Sequence, residues 1–232
     1  MENLKSVFEK YEINISNEQE KKFDLFFDFL IKKNKVMNLT AITDQKEVLF
    51  KHFLDSVLPQ NLFEKNSKII DIGSGAGFPA IPLKIVRNDL EIVMIDSLLK
   101  RVNFLNEATS LLNLKSITAF HFRAEDFAKT YRESFDIATA RAVAPLNTLV
   151  EYLLPHVKIG GKCIIYKSTK LNEEIENSKN AINILGGKIE EIKNYKIEEL
   201  NLERNVLIIK KIKPTDKKYP RDKNAPKLKP LN

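Results

Sequence analysis

The sequence has 232 residues and a net charge of +7, with 38 basic residues, 31 acidic residues and a single Cys. A chain of this length folds as one domain of ordinary size, or as one domain with a small addition, and needs no disulfides. The composition excludes a transmembrane helix, a secretory signal peptide and a metal site made of Cys and His, and it favours the cytoplasm.

Residues 1–66 lack strand patterns and predict a small N-terminal helical cap. Ser16 and Gln19 have the spacing of a capping box, and apolar residues, many of them aromatic, follow at helical spacing. A second capped start is predicted at Asp44, and Pro59 ends the helix that follows it. The aromatic stripe of the first helix is expected to form core.

The stretch KIIDIGSGAGFP, residues 68–79, predicts a buried strand that runs into a tight turn. Its three glycines, Gly73, Gly75 and Gly77, allow positive φ angles and let a ligand approach the backbone closely. Ligands of an open α/β sheet bind beyond the carboxyl ends of the strands. The turn is therefore predicted to form the floor of a binding site.

Two common nucleotide-binding patterns do not fit this turn. Phe78 occupies the position where the dinucleotide fingerprint needs a small residue, and the lysine of a P-loop is missing. S-adenosylmethionine remains as the ligand, because it carries a cationic sulfonium and amino group and no phosphate. Asp71, near the end of the strand, is expected to meet that amino group. The glycine pattern is a weak signal by itself.

A second acid strengthens the prediction of an S-adenosylmethionine site. Asp96 ends the next apolar run and lies 23 positions after Gly73, and an acid about 20 residues beyond such a turn contacts ribose hydroxyls. A carboxylate suits the ribose because it accepts two hydrogen bonds. Alternatively, Asp96 is the N-cap of the next helix, and the two roles are compatible.

Strand and helix patterns alternate over residues 67–212, which are predicted to form the second domain. Further strands are predicted at 90–96, 116–122, 135–140, 162–166, 188–195 and 206–212, helices at 81–86, 98–114, 146–154 and 171–185, and a polar corner at 123–126. The alternation indicates parallel strands, and the last two strands, with no helix between them, indicate an antiparallel edge hairpin. The predicted fold is α/β: a Rossmann-like, seven-stranded, mostly parallel class I methyltransferase sheet.

The charge excess lies in the C-terminal tail, residues 213–232. Residues 210–232 contain nine basic and two acidic residues, whereas the rest of the chain contains 29 of each. A neutral body with a basic tail indicates an anionic partner, with nucleic acid ahead of a membrane, and the tail is expected to contact RNA phosphates. A disordered tail that only adds solubility is the alternative.

Seven segments, in order along nearly the whole chain, carry a resemblance to a known family. They are MNLTAITD (37–44), KHFLDSVLP (51–59), DIGSGAGFPAIPLKI (71–85), IDSLLKRVNFL (95–105), RAED (123–126), ARAVAPL (140–146) and, loosely, KYPR with the following prolines and leucines (218–231). Together they resemble the bacterial small-subunit ribosomal RNA methyltransferase G family, also called glucose-inhibited division protein B. The resemblance implies a class I enzyme that transfers a methyl group from S-adenosylmethionine to N7 of one guanosine in 16S rRNA.

The resemblance also implies the site residues and partners. Gly73 and Phe78 belong to the cofactor site, Ala124 and Glu125 approach the adenine, and Arg141 belongs to the cofactor site and is the expected catalytic residue. The expected partner is 16S rRNA in the 30S subunit, with no membrane and no metal, and the chain is expected to be a monomer.

Two positions depart from the family pattern. Ala80 stands where the turn usually has a further glycine, which costs roughly 1 kcal/mol if a positive φ is needed there. Asn224 stands where the tail usually has the glycine of Gly-Thr-Pro, and Asn tolerates the left-handed conformation better than most residues.

The implied chemistry agrees with the motifs that are missing. Guanine N7 has a free lone pair and loses no proton when it attacks, so no general base is needed. The motif typical of exocyclic-amine methylation is absent, and Cys163 lies in an apolar run that indicates core. Arg141 is expected to steer phosphate or the guanine O6 edge, with an ion pair to a local carboxylate as the alternative. His52 and Asp55 shape the substrate side or hydrogen-bond locally.

Two rival functions stay open. One is a methyltransferase acting on a small molecule or a protein, against which the basic tail and the helical cap count. The other is a ribosome-assembly binding protein without catalysis, against which the intact glycine turn and both acids count.

Overall fold

The computed structural model describes residues 4–167 and 171–231. Its N-terminal part consists of α1 (Leu4–Lys10), α2 (Asn17–Met37), α3 (Gln45–Val48), a π-helical segment (Leu49–Leu54), α4 (Asp55–Val57) and a 3-10 turn (Gln60–Leu62). Ser16 and Gln19 form the predicted capping box of α2, and Asp44 accepts a hydrogen bond from Glu47 N at the start of α3. Both predicted helix starts are therefore confirmed, whereas α1 was not predicted.

A seven-stranded sheet follows, with the strand order β3-β2-β1-β4-β5-β7-β6. The strands are β1 (Lys68–Ile72), β2 (Glu91–Asp96), β3 (Ile117–His121), β4 (Phe135–Arg141), β5 (Val157–Lys167), β6 (Gly187–Ile197) and β7 (Leu202–Lys211). Strands β1 to β5 pair in parallel, and β7 pairs antiparallel with both β5 and β6. The predicted Rossmann-like sheet with an antiparallel edge hairpin is confirmed.

Helices cover both faces of the sheet. They are α5 (Ala80–Val86), α6 (Leu99–Leu111), α7 (Ala124–Thr130), α8 (Leu146–Leu153), α9 (Leu171–Glu176) and α10 (Lys179–Ile184). Side chains of β1 alternate between two cores: Ile69 packs with α2, α5 and α6, and Ile70 packs with α7 to α10. The N-terminal helices thus share one core with the sheet, and the division at residue 66 stays a prediction.

Two predictions within this region are wrong. The polar corner predicted at 123–126 contains the start of α7, because Phe127 buries an apolar face of that helix against the sheet. The single helix predicted over 171–185 is divided between α9 and α10. Ser178 lies at the break, and its hydroxyl donates to a backbone carbonyl of the preceding turn, which competes with regular helix.

The basic tail packs against the body of the protein, so the alternative of a disordered tail is wrong for residues 213–231. Tyr219 is buried in the core that contains α8. Arg221 forms an ion pair with Glu151 of α8 at 2.7 Å. The tail also contains a short helix, α11 (Ala225–Leu228).

Both departures from the family pattern fit their surroundings. Ala80 is the first residue of α5 and lies in helical backbone, so its Cβ costs nothing there. Asn224 adopts the left-handed conformation, with φ of 60°, as its residue type permits. Across residues 4–167 and 171–231, none of the helices combines the length and apolar character needed to cross a bilayer.

Candidate functional site

The turn between β1 and α5 is shaped by its three glycines. Gly73, Gly75 and Gly77 have φ angles of 70°, 57° and 89°, as the glycine pattern predicts. A Cβ atom on Gly77 would lie 2.5 Å from Cδ1 of Ile81, and one on Gly73 would lie 2.8 Å from Cγ2 of Val143. Side chains at these two positions would therefore disturb the turn by overlap as well as by backbone strain.

Asp96, at the end of β2, holds this turn from the side. Its Oδ2 accepts a hydrogen bond from Gly75 N at 3.0 Å, and its Oδ1 accepts one from Leu98 N at 2.9 Å. Arg101 lies 3.5 Å from the same carboxylate. Helix α6 begins at Leu99 with Leu98 as its cap residue, so the N-cap alternative for Asp96 is wrong.

A cavity of about 320 Å³ opens beside Asp96, beyond the carboxyl ends of β1, β2 and β3. We call it the Asp96 cavity; it is lined by Ile72, Gly73, Ile95, Asp96, Ser97, Arg101, Phe122, Arg123, Ala124, Glu125, Ala142, Val143, Tyr152 and Asn224. Its wall runs from the glycine turn, past the acid of β2, to the start of α7. Four predicted cofactor residues, Gly73, Asp96, Ala124 and Glu125, therefore meet at one cavity.

Asp71 lies beneath the turn and is fully buried. Within the described part of the chain, neither of its carboxylate oxygens has a hydrogen-bond partner, and Ser74 Oγ donates to its backbone carbonyl instead. Burial raises the pKa of this carboxyl to about 7, although the nearby Ser74 hydroxyl and the positive charge of Arg141 oppose the rise. A cationic ligand group nearby would favour the ionised form. The contact expected between Asp71 and an amino group stays a prediction.

A second cavity, of about 600 Å³, opens beyond the carboxyl ends of β4 and β5. We call it the Arg141 cavity; it is lined by Ile42, Lys51, His52, Asp55, Leu58, Pro59, Arg141, Ala142, Val143, Ala144, Tyr166, Lys167, Glu174, Tyr195, Arg204, Asn205 and Val206. The N-terminal helices and the edge hairpin thus both contribute to it. Ala142 and Val143 line both cavities, so the two cavities adjoin at the loop after β4.

A buried carboxylate holds Arg141 in place. Arg141 Nη1 donates to Asp55 Oδ2 at 2.7 Å and to Lys51 O at 3.2 Å, and Arg204 Nε donates to Asp55 Oδ1 at 3.0 Å. The Arg141 guanidinium also lies over the ring of Phe78, 5.1 Å from its centroid. The alternative of an ion pair between Arg141 and a local carboxylate is therefore confirmed, and the same arginine lines the cavity.

His52 completes this group of side chains. Its ring stacks on that of Phe78 with centroids 4.4 Å apart, its Nε2 lies 2.9 Å from Thr40 Oγ1, and its Nδ1 lies 3.3 Å from Arg141 Nη2. The same Nδ1 lies 3.2 Å from Lys51 O. The guanidinium can only donate and the carbonyl can only accept, so the tautomer of His52 decides which of the two Nδ1 serves. Burial and the nearby charge of Arg141 lower the pKa of His52 to about 3. The imidazole is therefore neutral, and a weak base, at neutral pH.

The predicted site residues differ in which of the two cavities they line. Arg141 lines the Arg141 cavity but not the Asp96 cavity, whereas Asp71, Gly75, Gly77 and Phe78 line neither of these two. Gly75 and Gly77 shape the turn, and Phe78 packs on Arg141 and on the N-terminal helices. Their assignment to the cofactor site stays a prediction.

Several lining residues were not predicted. Phe122, Tyr152 and Asn224 line the Asp96 cavity, and Lys167 and Arg204 line the Arg141 cavity. Among these five residues, only Asn224 had a local sequence signal, the tendency of Asn to adopt the left-handed conformation. The others reach their cavities through the order of the strands, which one sequence does not reveal.

Cys163 lies in the core and lines neither the Asp96 cavity nor the Arg141 cavity. Cys163 is fully buried in β5, as predicted, and burial raises its pKa to about 12, which suppresses the nucleophilic thiolate. Among the residues that the structure describes, no group of three or more His, Cys, Asp or Glu side chains is arranged to hold a metal ion.

Known proteins of one family match this chain along most of its length. The family model described as rRNA small subunit methyltransferase G (GidB) matches residues 19–206. The curated ribosomal RNA small subunit methyltransferase G of Acetivibrio thermocellus is 47% identical, and the match covers 94% of this chain and 91% of the relative. The protein of the same name from Bacillus cytotoxicus is 44% identical, with 100% of this chain and 98% of the relative covered.

More distant solved structures share the fold. A SAM-dependent methyltransferase from Aquifex aeolicus has a TM-score of 0.55 at 15% identity, over 74% of this chain and 96% of that chain. The ribosomal protein L11 methylase of Lactobacillus delbrueckii has a TM-score of 0.53 at 17% identity, over 70% and 80% of the two chains. The family match and the much closer curated relatives go further than fold: the chain belongs to the rRNA small subunit methyltransferase G family.

Proposed function

We propose that this protein transfers a methyl group from S-adenosylmethionine to N7 of a guanosine in 16S rRNA of the small ribosomal subunit. The observation that carries the proposal is the pair of cavities that meet at Ala142 and Val143. A methyl donor in the Asp96 cavity and a base in the Arg141 cavity would face each other across this loop. Membership of the family supports ribosomal RNA as the substrate.

The Asp96 cavity suits S-adenosylmethionine in shape and charge. The glycine turn lets a ligand lie against the backbone, Asp96 would accept from the ribose, and Ala124 and Glu125 follow the next strand, where the adenine would lie. The unpartnered carboxyl of Asp71 beneath the turn favours a cationic ligand. When bound, S-adenosylmethionine supplies a methyl group activated by its sulfonium.

The Arg141 cavity suits a guanine and the RNA backbone around it. An arginine recognises the guanine O6 edge well, and Arg141 is oriented by Asp55. Lys51, Lys167 and Arg204 line the same cavity, each paired with a carboxylate. The cavity lining contains four cations and two acids, so its excess charge is positive and suits phosphate. Arg141 is the catalytic residue of this proposal.

The residues of the Arg141 cavity act by positioning. Methylation at N7 removes no proton from the base, and the neighbouring groups are unsuited to accept one. His52 has a pKa lowered to about 3 by burial and by Arg141, and the carboxylate of Asp55 is shared by two arginines. Alignment of two reacting groups supplies on the order of 7–11 kcal/mol of a barrier.

The partners follow from charge and family. Six exposed lysines of the tail are available to RNA phosphates: Lys213, Lys217, Lys218, Lys223, Lys227 and Lys229. Each phosphate neutralised on a single strand contributes about −0.7 to the slope of log affinity against log salt. We place the protein in the cytoplasm as a monomer, where it meets the 30S subunit.

The test combines the protein, labelled S-adenosylmethionine and either 30S subunits or naked 16S rRNA. Borohydride–aniline cleavage then maps 7-methylguanosine in the RNA. We expect label in RNA and cleavage at one position. Label in ribosomal protein, or in RNA without cleavage, would contradict the proposed substrate or the proposed atom.

A matched pair of variants tests the assigned residue. Arg141→Ala is expected to abolish labelling while the protein still melts cooperatively. Arg87→Ala removes a comparable Arg–Asp pair, with Arg87 2.8 Å from Asp89, outside both cavities, and should keep the rate per folded enzyme. Unchanged turnover in Arg141→Ala would remove Arg141 from the mechanism.

A further inference from the structure

The C-terminal segment is attached to α8 beside the Asp96 cavity. Glu151 of α8 is fully buried, and its carboxylate accepts hydrogen bonds from N, Nε and Nη2 of Arg221 at 2.7–3.2 Å. Thr148, one turn earlier in α8, donates from Oγ1 to Pro226 O at 3.0 Å. A buried carboxylate requires such partners, so the position of this segment is part of the fold.

Between these two attachments, the chain turns at Asn224. The residue has a left-handed φ of 60°, and its Oδ1 accepts a hydrogen bond from Arg123 Nη1 at 2.7 Å. Arg123 and Asn224 both line the Asp96 cavity. Arg123 directly precedes Ala124 and Glu125, the predicted adenine contacts. The tail therefore supplies part of a cavity that otherwise belongs to the sheet.

The order of the strands indicates which end of a ligand meets this part of the wall. Strand β1 ends at the glycine turn, β2 ends at Asp96, and β3, on the far side of β2, leads to Phe122 and Arg123. With the ribose at Asp96, the nucleobase lies beyond it, toward β3. Phe122 is 42% exposed and lines the cavity, which offers an aromatic face to a base.

We propose that Asn224 and Arg123 bind the adenine of S-adenosylmethionine, and that the attachment of residues 221–226 to α8 holds Asn224 in the wall of the cofactor site. This inference rests on the proposed function, which supplies the identity of the ligand. The Asn amide and the Arg guanidinium donate hydrogen bonds, and the ring nitrogens of adenine accept them. The tail then serves the cofactor through Asn224 and the RNA through its exposed lysines.

Binding measurements on the full-length protein separate these two roles. Calorimetry with S-adenosylhomocysteine and with adenosine compares wild type, Asn224→Gly, Arg123→Gln and the double variant Lys227→Ala/Lys229→Ala. Glycine at 224 keeps the left-handed backbone and removes only the side chain. The two lysines are exposed, lie in the same segment and do not line the Asp96 cavity.

We expect Asn224→Gly and Arg123→Gln each to weaken both ligands by roughly fivefold to tenfold, the range for one lost hydrogen bond. The lysine variant should bind both ligands within twofold of wild type and lose part of the salt dependence of RNA binding. Wild-type affinity in both Asn224→Gly and Arg123→Gln, or an equal loss in the lysine variant, would overturn the inference. If wild type itself fails to bind S-adenosylhomocysteine, the proposed function fails instead.

Discussion

Asp55 is predicted to support both the stability of the fold and the orientation of Arg141. Its two carboxylate oxygens hold Arg141 at 2.7 Å and Arg204 at 3.0 Å. The side chains of Asp55, Arg141 and Arg204 are only 7%, 14% and 24% exposed. Asp55→Ala therefore leaves two shielded guanidinium groups without their shared counter-ion.

The expected loss of stability follows from this geometry. Removing one partner of a buried ion pair costs about 3–5 kcal/mol. Arg204 is partly exposed, and water there compensates some of the loss, so we expect about 3 kcal/mol for Asp55→Ala. Asp55→Asn keeps one acceptor oxygen and should cost about 2 kcal/mol. A loss of about 3 kcal/mol lowers the melting temperature of a protein of this size by roughly 6–12 °C.

Urea denaturation followed by circular dichroism measures the free energy of unfolding of each variant. Glu64→Gln is the control, because Glu64 pairs with Lys162 at 3.2 Å but is 70% exposed, and such pairs contribute about 0–1 kcal/mol. Binding of S-adenosylhomocysteine should be retained in Asp55→Ala, since Asp55 does not line the Asp96 cavity. A loss below about 1 kcal/mol, equal to that of the control, would refute the reasoning.

Three further predictions concern other parts of the fold. Burial raises the pKa of Asp71 to about 7, so the stability contributed by its protonated form is complete below its unfolded pKa of about 4 and is lost as pH rises from there through 7. Urea titrations should show the advantage of Asp71→Asn growing over this range, to about 4 kcal/mol at pH 8. Burial lowers the pKa of His156 to about 4. The free energy of unfolding should therefore fall by on the order of 3 kcal/mol as pH drops from about 6.5 to 4. His156→Leu should remove that fall in the same titration. Gly77 and Gly160 both have positive φ, but a Cβ at Gly77 would lie 2.5 Å from Ile81 whereas one at Gly160 would meet nothing within 4 Å. In thermal denaturation, Gly77→Ala should therefore lose about 1–3 kcal/mol more stability than Gly160→Ala. Equal losses would show that backbone strain alone matters.

Local patterns predicted most of the elements and half of the site. The capping box at Ser16 and the apolar run that ends at Asp96 each depend on residues close together in the sequence, within one helical turn or one strand. Such signals also revealed the glycine turn, and with it the floor of the Asp96 cavity. They failed at 171–185, where helical periodicity continues through Ser178 but the side chain of that serine competes with the helix.

The Arg141 cavity was beyond local reasoning. Arg141 and Asp55 are 86 positions apart, and Arg204 and Asp55 are 149 positions apart. Nothing near Arg204 in the sequence distinguishes it from a solvated arginine on an edge strand. The packing of the tail was beyond local reasoning for the same reason. Its charge indicated an anionic partner, with a disordered tail as the alternative, and neither reveals that Arg221 is held by a buried glutamate 70 positions earlier.

The sequence by itself determined the strands, the capped helices and the glycine turn with its two acids, because each depends on residue types a few positions apart. Only the tertiary structure decided which arginines Asp55 would hold, that two cavities would adjoin at the loop containing Ala142, and that the tail would reach the Asp96 cavity. Those contacts join residues far apart in the chain, and they arise from the order of the strands and from the burial of charges that must find partners.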